Sequence, residues 1–265
     1  MQTSERLSRR FAFGEAACDY EAVRPGYPTA LIQAVIDRAA LGRQSTILEI
    51  GCGTGQATEA FAVLGCAMLC LEPALELAKL ARQKIARFPQ VQVSTETFEQ
   101  AELAPESFDL VLAATSFHWI DATIRCAKVA RVLRSAGTVA ILTNTHPLPL
   151  VGFFVRVQDI YRAIAPTLAH KGDKSETEQW ATELHYELVQ SQQFEAIEFL
   201  SERWQKRFTG NEYLKLLNTF SPHRRLQEDQ RNHLFVEIGK LIDTEYGGYV
   251  EQPYLTMLCL AGKIH

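Results

Sequence analysis

LEIGCGTGQ, Leu48 to Gln56, sets three glycines, Gly51, Gly53 and Gly55, directly behind a short apolar run. The helix-like ATEAFAVLG (57–65) follows at once. Apolar strand, glycine turn and helix in that order open a βαβ unit, where the backbone can approach a ligand because no side chain intervenes. Working outward, STILEI (45–50), CAMLCLE (66–72), VQVST (91–95), FDLVLAATS (108–116) and GTVAILTN (137–144) are strand-like. They alternate with the amphipathic stretches PALELAKLARQKIARF (73–88) and DATIRCAKVARVL (121–133). Such alternation predicts a parallel, doubly wound α/β sheet. Before it, TALIQAVIDRAALG (29–42) puts Leu31, Ile32, Val35, Ile36 and Ala39 on one helical face, with Gly42 as its expected stop.

Beyond Thr145 the pattern changes. HPLPL (146–150) breaks the alternation, and the chain to about residue 193 reads as helices around the polar loop HKGDKSETEQ (170–179). FEAIEFLSERWQKRFT (194–209) has a period near two and predicts a strand. Helical GNEYLKLLNTF (210–220) and QRNHLFVEIGKLI (230–242) follow, the second grouping Leu234, Phe235, Ile238, Leu241 and Ile242 on one face, and the strand YLTMLCLAGK (254–263) comes last. Two late strands split by helices suit an antiparallel pair at the sheet edge. The organisation expected is a single domain over 1–265: an N-terminal helical segment (1–45), a ligand-binding core (46–145) and helical cap insertions at 146–193 and 210–243.

The chain has 265 residues, 47% of them hydrophobic, and a formal charge of −4, with a pI near 6.0. It can bury a full core without metal or disulfide. It lacks the positive field that phosphate backbones or anionic membranes attract, so nucleic acid is not an expected partner. Cys18, Cys52, Cys66, Cys70, Cys126 and Cys259 are scattered, with no C-x-x-C pair and no zinc spacing. No metal site is expected, and reduced thiols fit a cytoplasmic location. No apolar run reaches membrane-spanning length.

The loop is G-x-G-x-G, with Gln56 where a dinucleotide fingerprint has its third glycine, and no phosphate-cradling G-x-x-x-x-G-K-[ST] is present. Glu49 beside the loop would repel a pyrophosphate but suits a ligand carrying an amino group and a sulfonium. Glu72 lies 21 residues beyond Gly51, the spacing at which an acidic side chain accepts from ribose hydroxyls. Adenosine without phosphate is indicated.

LEIGCGTGQ with the following CLEP resembles the glycine and acidic motifs of class I S-adenosylmethionine-dependent methyltransferases. FGEAACDYEAVRPGYP (13–28), SFDLVLAATSFHWID (107–121), EYLKLLNTFSP (212–222) and the final strand are similar to the small-molecule group related to trans-aconitate methyltransferase. The resemblance implies a Rossmann-like seven-stranded sheet of order 3-2-1-4-5-7-6 with a helical substrate cap. It also implies methyl transfer to a small molecule by in-line displacement, with S-adenosylhomocysteine as product. Cofactor-binding positions carried over are Tyr20, Arg24, Glu49, Gly51, Gly53, Gly55, Glu72, Pro73, Thr97, Phe98 and Ser116. Thr97, Phe98 and Glu99 stand near the expected adenine contact without the usual acidic and Leu-Pro pattern. Substrate-binding positions are Tyr27, His118 and Trp119.

His118 is the one candidate catalytic group, able to take a proton from a hydroxyl or amine near neutral pH or else only to orient substrate. Trp119 could face the sulfonium, with buried packing as the default expectation. Arg24 could pair with a carboxylate. Cys52 is expected to have no chemistry, Asp121 to cap a helix, and the basic groups Arg203, Lys206, Arg207 and His223, Arg224, Arg225 to form a solvated face. An NAD(P)-dependent oxidoreductase and a cofactor-binding module without turnover are the alternatives. Oligomeric state and acceptor atom stay open.

Overall fold

The computed structural model describes residues 21–146, 150–170 and 176–264. In chain order the elements are α1 (Thr29–Arg38), β1 (Thr46–Ile50), α2 (Gln56–Ala62), β2 (Ala67–Leu71), α3 (Leu75–Lys84), β3 (Val91–Ser94) and β4 (Phe108–Ala114). A 3-10 turn at Phe117–Trp119 leads to α4 (Arg125–Val132) and β5 (Leu133–Thr145). Then come α5 (Phe153–Ile164), α6 (Glu176–Ser191), β6 (Phe194–Thr209), α7 (Gly210–Asn218), α8 (Ser221–Arg224), α9 (Glu228–Glu245) and β7 (Tyr249–Lys263).

The seven strands form one sheet in the order β3-β2-β1-β4-β5-β7-β6. The first five run parallel, and β7 runs antiparallel to both its neighbours. β1 and β4 are apolar at nearly every position because both faces are covered. Leu48, Ile50, Val111 and Ala113 pack into one core. Ile47, Leu110 and Leu112 pack into the other. Because β1 has β2 on one side and β4 on the other while the chain reverses direction of growth there, the carboxyl ends of these strands open a crevice. The glycine loop lies at that crevice.

A third core joins α5, α7 and α9 to the ends of β6 and β7, with Phe153, Phe208, Tyr213, Leu234 and Ile238 at its centre. The capping box at Thr209, whose hydroxyl accepts from Glu212 N at 3.3 Å while the Glu212 carboxylate accepts from Thr209 N at 2.8 Å, starts α7 sharply after β6. Phe208 is 1% exposed, so Phe208→Ala should lower stability by about 3–5 kcal/mol. A lower urea midpoint checks this.

Three local expectations change. α1 ends at Arg38, with Ala40 at φ +46 making the turn, before Gly42 is reached. Asp121 caps no helix: its Oδ1 accepts from Thr123 N and Oγ1 at 2.9 and 2.8 Å in a turn four residues ahead of α4. The basic groups make no common face, because His223 is buried and meets the Tyr161 hydroxyl at 2.7 Å. Burial among apolar neighbours lowers the His223 pKa to about 4. Lys206 reaches back to the Val23 carbonyl at 3.3 Å.

Candidate functional site

β1 ends at Ile50, and the loop turns across β2: Gly51 N and Cys52 N both donate to the Leu71 carbonyl, at 2.7 and 3.1 Å. Gly51, Gly53 and Gly55 have φ of +69, +59 and +90. That left-handed region is open to glycine at little cost. At Gly51 there is also no room, since a Cβ would come within 2.6 Å of Ser116 Cβ. The Ser116 hydroxyl donates to the Ile50 carbonyl and pins β1 against the segment after β4. Gly55 does not line the crevice; its conformation starts α2.

Glu72 follows β2 and is 6% exposed. Its Oε2 accepts from Gly53 N and its Oε1 from Ala74 N, each at 2.9 Å. A carboxylate oxygen has further lone pairs, so Glu72 is fixed in place and can still accept from a ligand diol. Glu72 and Pro73 line a cavity of about 250 Å³ whose far wall is Thr97, Phe98 and Glu99. Thr97 and Phe98 are 5% and 2% exposed, and Lys128 covers the Phe98 ring at 5.1 Å. His118 and Trp119 line the same cavity. His118 is exposed and Trp119 half-buried, their rings 4.9 Å apart and tilted by 42°. Trp119 is therefore a wall of the cavity rather than core packing.

A second, smaller cavity of about 60 Å³ adjoins the first, sharing Arg24, Gly51, Gly53, Thr115 and Phe220. Arg24 is not a solvated side chain. Its Nε donates to Thr219 Oγ1 at 2.9 Å, its Nη2 to the Thr219 carbonyl at 3.1 Å, and the guanidinium lies 4.5 Å from the Phe220 ring centroid. Tyr27 meets Thr115 Oγ1 at 2.8 Å. Thr115 sits at φ +56, a strained conformation for a β-branched residue and one concentrated at ligand sites.

Glu49 lines the second cavity and is 1% exposed. Its Oε2 accepts from Thr58 Oγ1 at 2.6 Å and Cys70 Sγ at 3.7 Å. Its Oε1 is buried with no partner among the described residues. Burial raises the carboxyl to about 7, with the Thr58 and Cys70 bonds acting in the opposite sense. A cationic ligand group at Oε1 would satisfy the orphan and restore the charge. The Cys52 thiol is held protonated by its contact with Cys70 and by burial, in keeping with no reactive role. Tyr20 lies outside the described residues. Sequence reading missed Leu77, Ile120, Phe220, Pro222 and, in the second cavity, His146 and Tyr254. Among the described residues no group of His, Cys, Asp and Glu could hold a metal, and no helix is long and apolar enough to cross a membrane.

Comparison with known proteins agrees with this geometry. Residues 48–141 match the family model described as "Methyltransferase domain". An uncharacterized methyltransferase of Mycobacterium tuberculosis is 33% identical over 144 residues, 54% of this chain and 56% of that protein, so the match spans about half of this relative. An uncharacterized methyltransferase-like protein of Schizosaccharomyces pombe is 27% identical over 88% of this chain and 86% of its own. Saccharomyces cerevisiae contributes a protein named "Probable S-adenosylmethionine-dependent methyltransferase CRG1", 28% identical over 48% of this chain and 45% of its own. Among solved structures, the YcgJ protein of Bacillus subtilis has the same fold, with a TM-score of 0.56 at 18% identity, covering 88% of this chain and 98% of its own. A Haemonchus contortus phosphoethanolamine N-methyltransferase, in complex with phosphomonomethylethanolamine and S-adenosylhomocysteine, shares it at 0.56 and 14%, covering 100% of this chain and 61% of its own. Residues 48–141 thus match a methyltransferase domain, on a sheet with the strand order and the glycine loop that the sequence resemblance implies.

Proposed function

We propose that the chain transfers a methyl group from S-adenosylmethionine to a small-molecule acceptor by in-line displacement, as in the group related to trans-aconitate methyltransferase. The observation that carries this reading is the pair of acids at the crevice. Glu72 is fixed by two backbone N–H groups and faces one cavity, while the buried Oε1 of Glu49 is orphaned beside the next. An adenosine joined to an amino acid presents a diol and an ammonium group, which match these two acceptors.

The bound cofactor supplies a methyl group already activated on a sulfonium, so catalysis falls to alignment and exclusion of water. Glu72 would hold the ribose hydroxyls, Thr97, Phe98 and Glu99 the adenine, Glu49 the amino group and Arg24 the carboxylate. Gly51 and Gly53 provide the floor. Trp119 and Phe220 would close the cavity from two sides, since both line it and neither is a polar competitor for the acceptor. His118, exposed at the rim, would orient the acceptor or take its proton. A small acceptor suits a cavity of about 250 Å³, and the Haemonchus enzyme with this fold is one whose named ligand is small.

Calorimetric titration with S-adenosylmethionine, S-adenosylhomocysteine and NADH tests the reading. Wild-type protein should bind the first two with micromolar Kd and ignore NADH, and Glu72→Ala should weaken both by about 100-fold, as expected for two charge-assisted hydrogen bonds. Protein that is folded and binds NADH alone would support a nicotinamide enzyme instead. Once an acceptor is known, His118→Ala should lower kcat by about 100-fold if the imidazole moves a proton, and should leave kcat unchanged if it only orients.

A further inference from the structure

We propose that Arg125 on α4, clamped by Glu187 on α6, is the positioning residue that sets His118 and Trp119 against the first cavity. The proposal rests on the reading of those two residues as the acceptor end of that cavity. They sit on the 3-10 turn Phe117–Trp119, which two backbone bonds close: Trp119 N donates to the Ser116 carbonyl at 2.9 Å and Ile120 N to the Phe117 carbonyl at 3.2 Å. So short a turn, with the poorer hydrogen-bond geometry of a 3-10 helix, needs support from outside. Phe117 and Ile120, 6% and 2% exposed, point into the core, while His118 and Trp119 line the cavity.

The support comes from behind the turn. Arg125 Nη1 donates to the Phe117 carbonyl at 3.1 Å, and the guanidinium lies 4.6 Å from the centroid of the Phe117 ring. One cation thus holds both the backbone and the ring of the residue before His118. Its Nε and Nη2 donate to the two carboxylate oxygens of Glu187. Glu187 stands on the face of α6 that carries Leu184 and Leu188, 5% and 0% exposed, at the three- and four-residue spacing of a helical stripe. Packing alone gives no reason for an acid there, because an apolar pair of similar volume is often as stable as a largely buried ion pair, or more so. An apolar pair cannot supply a planar donor that a carboxylate fixes at two points and that keeps an N–H for a carbonyl.

The same helix sets the facing wall. Lys128, three residues on from Arg125, donates to the Glu99 and Ala101 carbonyls at 3.0 and 2.9 Å, and Asp121 N donates to Glu99 Oε1 at 3.1 Å. The adenine side and the acceptor side of the cavity are therefore both held from α4. Methyl transfer depends on their relative placement, and a shift of about 1 Å at a positioned site lowers a rate by on the order of 100-fold.

The test uses full-length protein labelled with 5-fluorotryptophan and observed by fluorine NMR, both free and saturated with S-adenosylhomocysteine. Resonances of Trp119, Trp180 and Trp204, assigned with Trp→Phe variants, report on the turn, on α6 and on β6. Wild type should show one Trp119 resonance, and S-adenosylhomocysteine should shift it. Replacing the pair together, Arg125→Leu with Glu187→Leu, should lower the population of the wild-type turn at least about tenfold, the worth of a hydrogen bond from a charged group. A second or displaced Trp119 resonance would show this, with Trp180 and Trp204 in place and S-adenosylhomocysteine still bound. Arg125→Lys keeps the cation without the fork, so it should change Trp119 in the same way, and it decides the matter should the double variant fold poorly. The proposal is overturned by a wild-type Trp119 resonance in Arg125→Lys, or by equal displacement of Trp180, which would make the pair a packing contact between α4 and α6. A wild-type Trp119 resonance that ignores bound S-adenosylhomocysteine, or failure of S-adenosylhomocysteine to bind, would instead remove the reading of the cavity, and this proposal with it.

Discussion

Glu49→Gln should make the ligand-free protein more heat-stable at pH 8.5 and weaken its hold on S-adenosylmethionine. The Glu49 carboxyl is raised by burial to about 7, against about 4.3 for an exposed glutamate. A raised acid favours the fold fully below its unfolded pKa and loses that contribution as pH climbs through the folded value. At pH 8.5 wild type therefore carries a penalty of about 3 kcal/mol, which vanishes near pH 4. The amide has no charge to bury. Its oxygen can keep the bonds from Thr58 and Cys70, while its nitrogen takes the orphan position.

Melting temperatures should therefore diverge with rising pH, reaching a gap of roughly 5–10 °C for a chain this size. Affinity should move the other way. Wild type must ionise Glu49 to meet an ammonium group, so its affinity for S-adenosylmethionine should fall up to about tenfold per pH unit below 7. The Gln variant should bind weakly at every pH without that slope. A gap in melting temperature that stays constant from pH 5 to 8.5 would show that Glu49 does not titrate as its burial requires.

Gly51→Ala should abolish cofactor binding. The added methyl would need φ near +69, costly for any L side chain, and would meet Ser116 Cβ at 2.6 Å. Relief requires moving either the loop or the segment after β4. Both carry the cavity. Affinity for S-adenosylhomocysteine should fall at least about 100-fold, since a displacement near 1 Å at a positioned site has an effect of that size. Ser116→Gly removes the opposing Cβ, so Gly51→Ala with Ser116→Gly should recover part of the loss, the part due to collision rather than to φ. Unchanged calorimetric Kd in Gly51→Ala would mean that the ligand does not rest on this loop.

What could be read from the chain was local. The strand before Gly51, the three glycines and the 21-residue step to Glu72 are neighbours along β1 and β2, so their meeting follows from one βαβ unit. The sheet order, by contrast, came from likeness to a known family, because hydrophobic period does not say which strands pair. Burial was the main blind spot. Glu49 reads as a fixed negative charge, yet its position inside the sheet lifts it to about 7. Arg24 reads as a partner for a carboxylate, yet Thr219 and Phe220, some 195 residues away, also hold it. His146 and Tyr254 carry no motif at all, and they meet at the rim only because β5 pairs with β7.

A structure of the protein grown with S-adenosylhomocysteine tests the central claim most directly. The account predicts the ribose hydroxyls on Glu72, the adenine beside Phe98 and the amino group on Glu49 Oε1. Ligand bound away from Gly51 and Glu72, or a Glu49 Oε1 still without a partner in the occupied site, would contradict it.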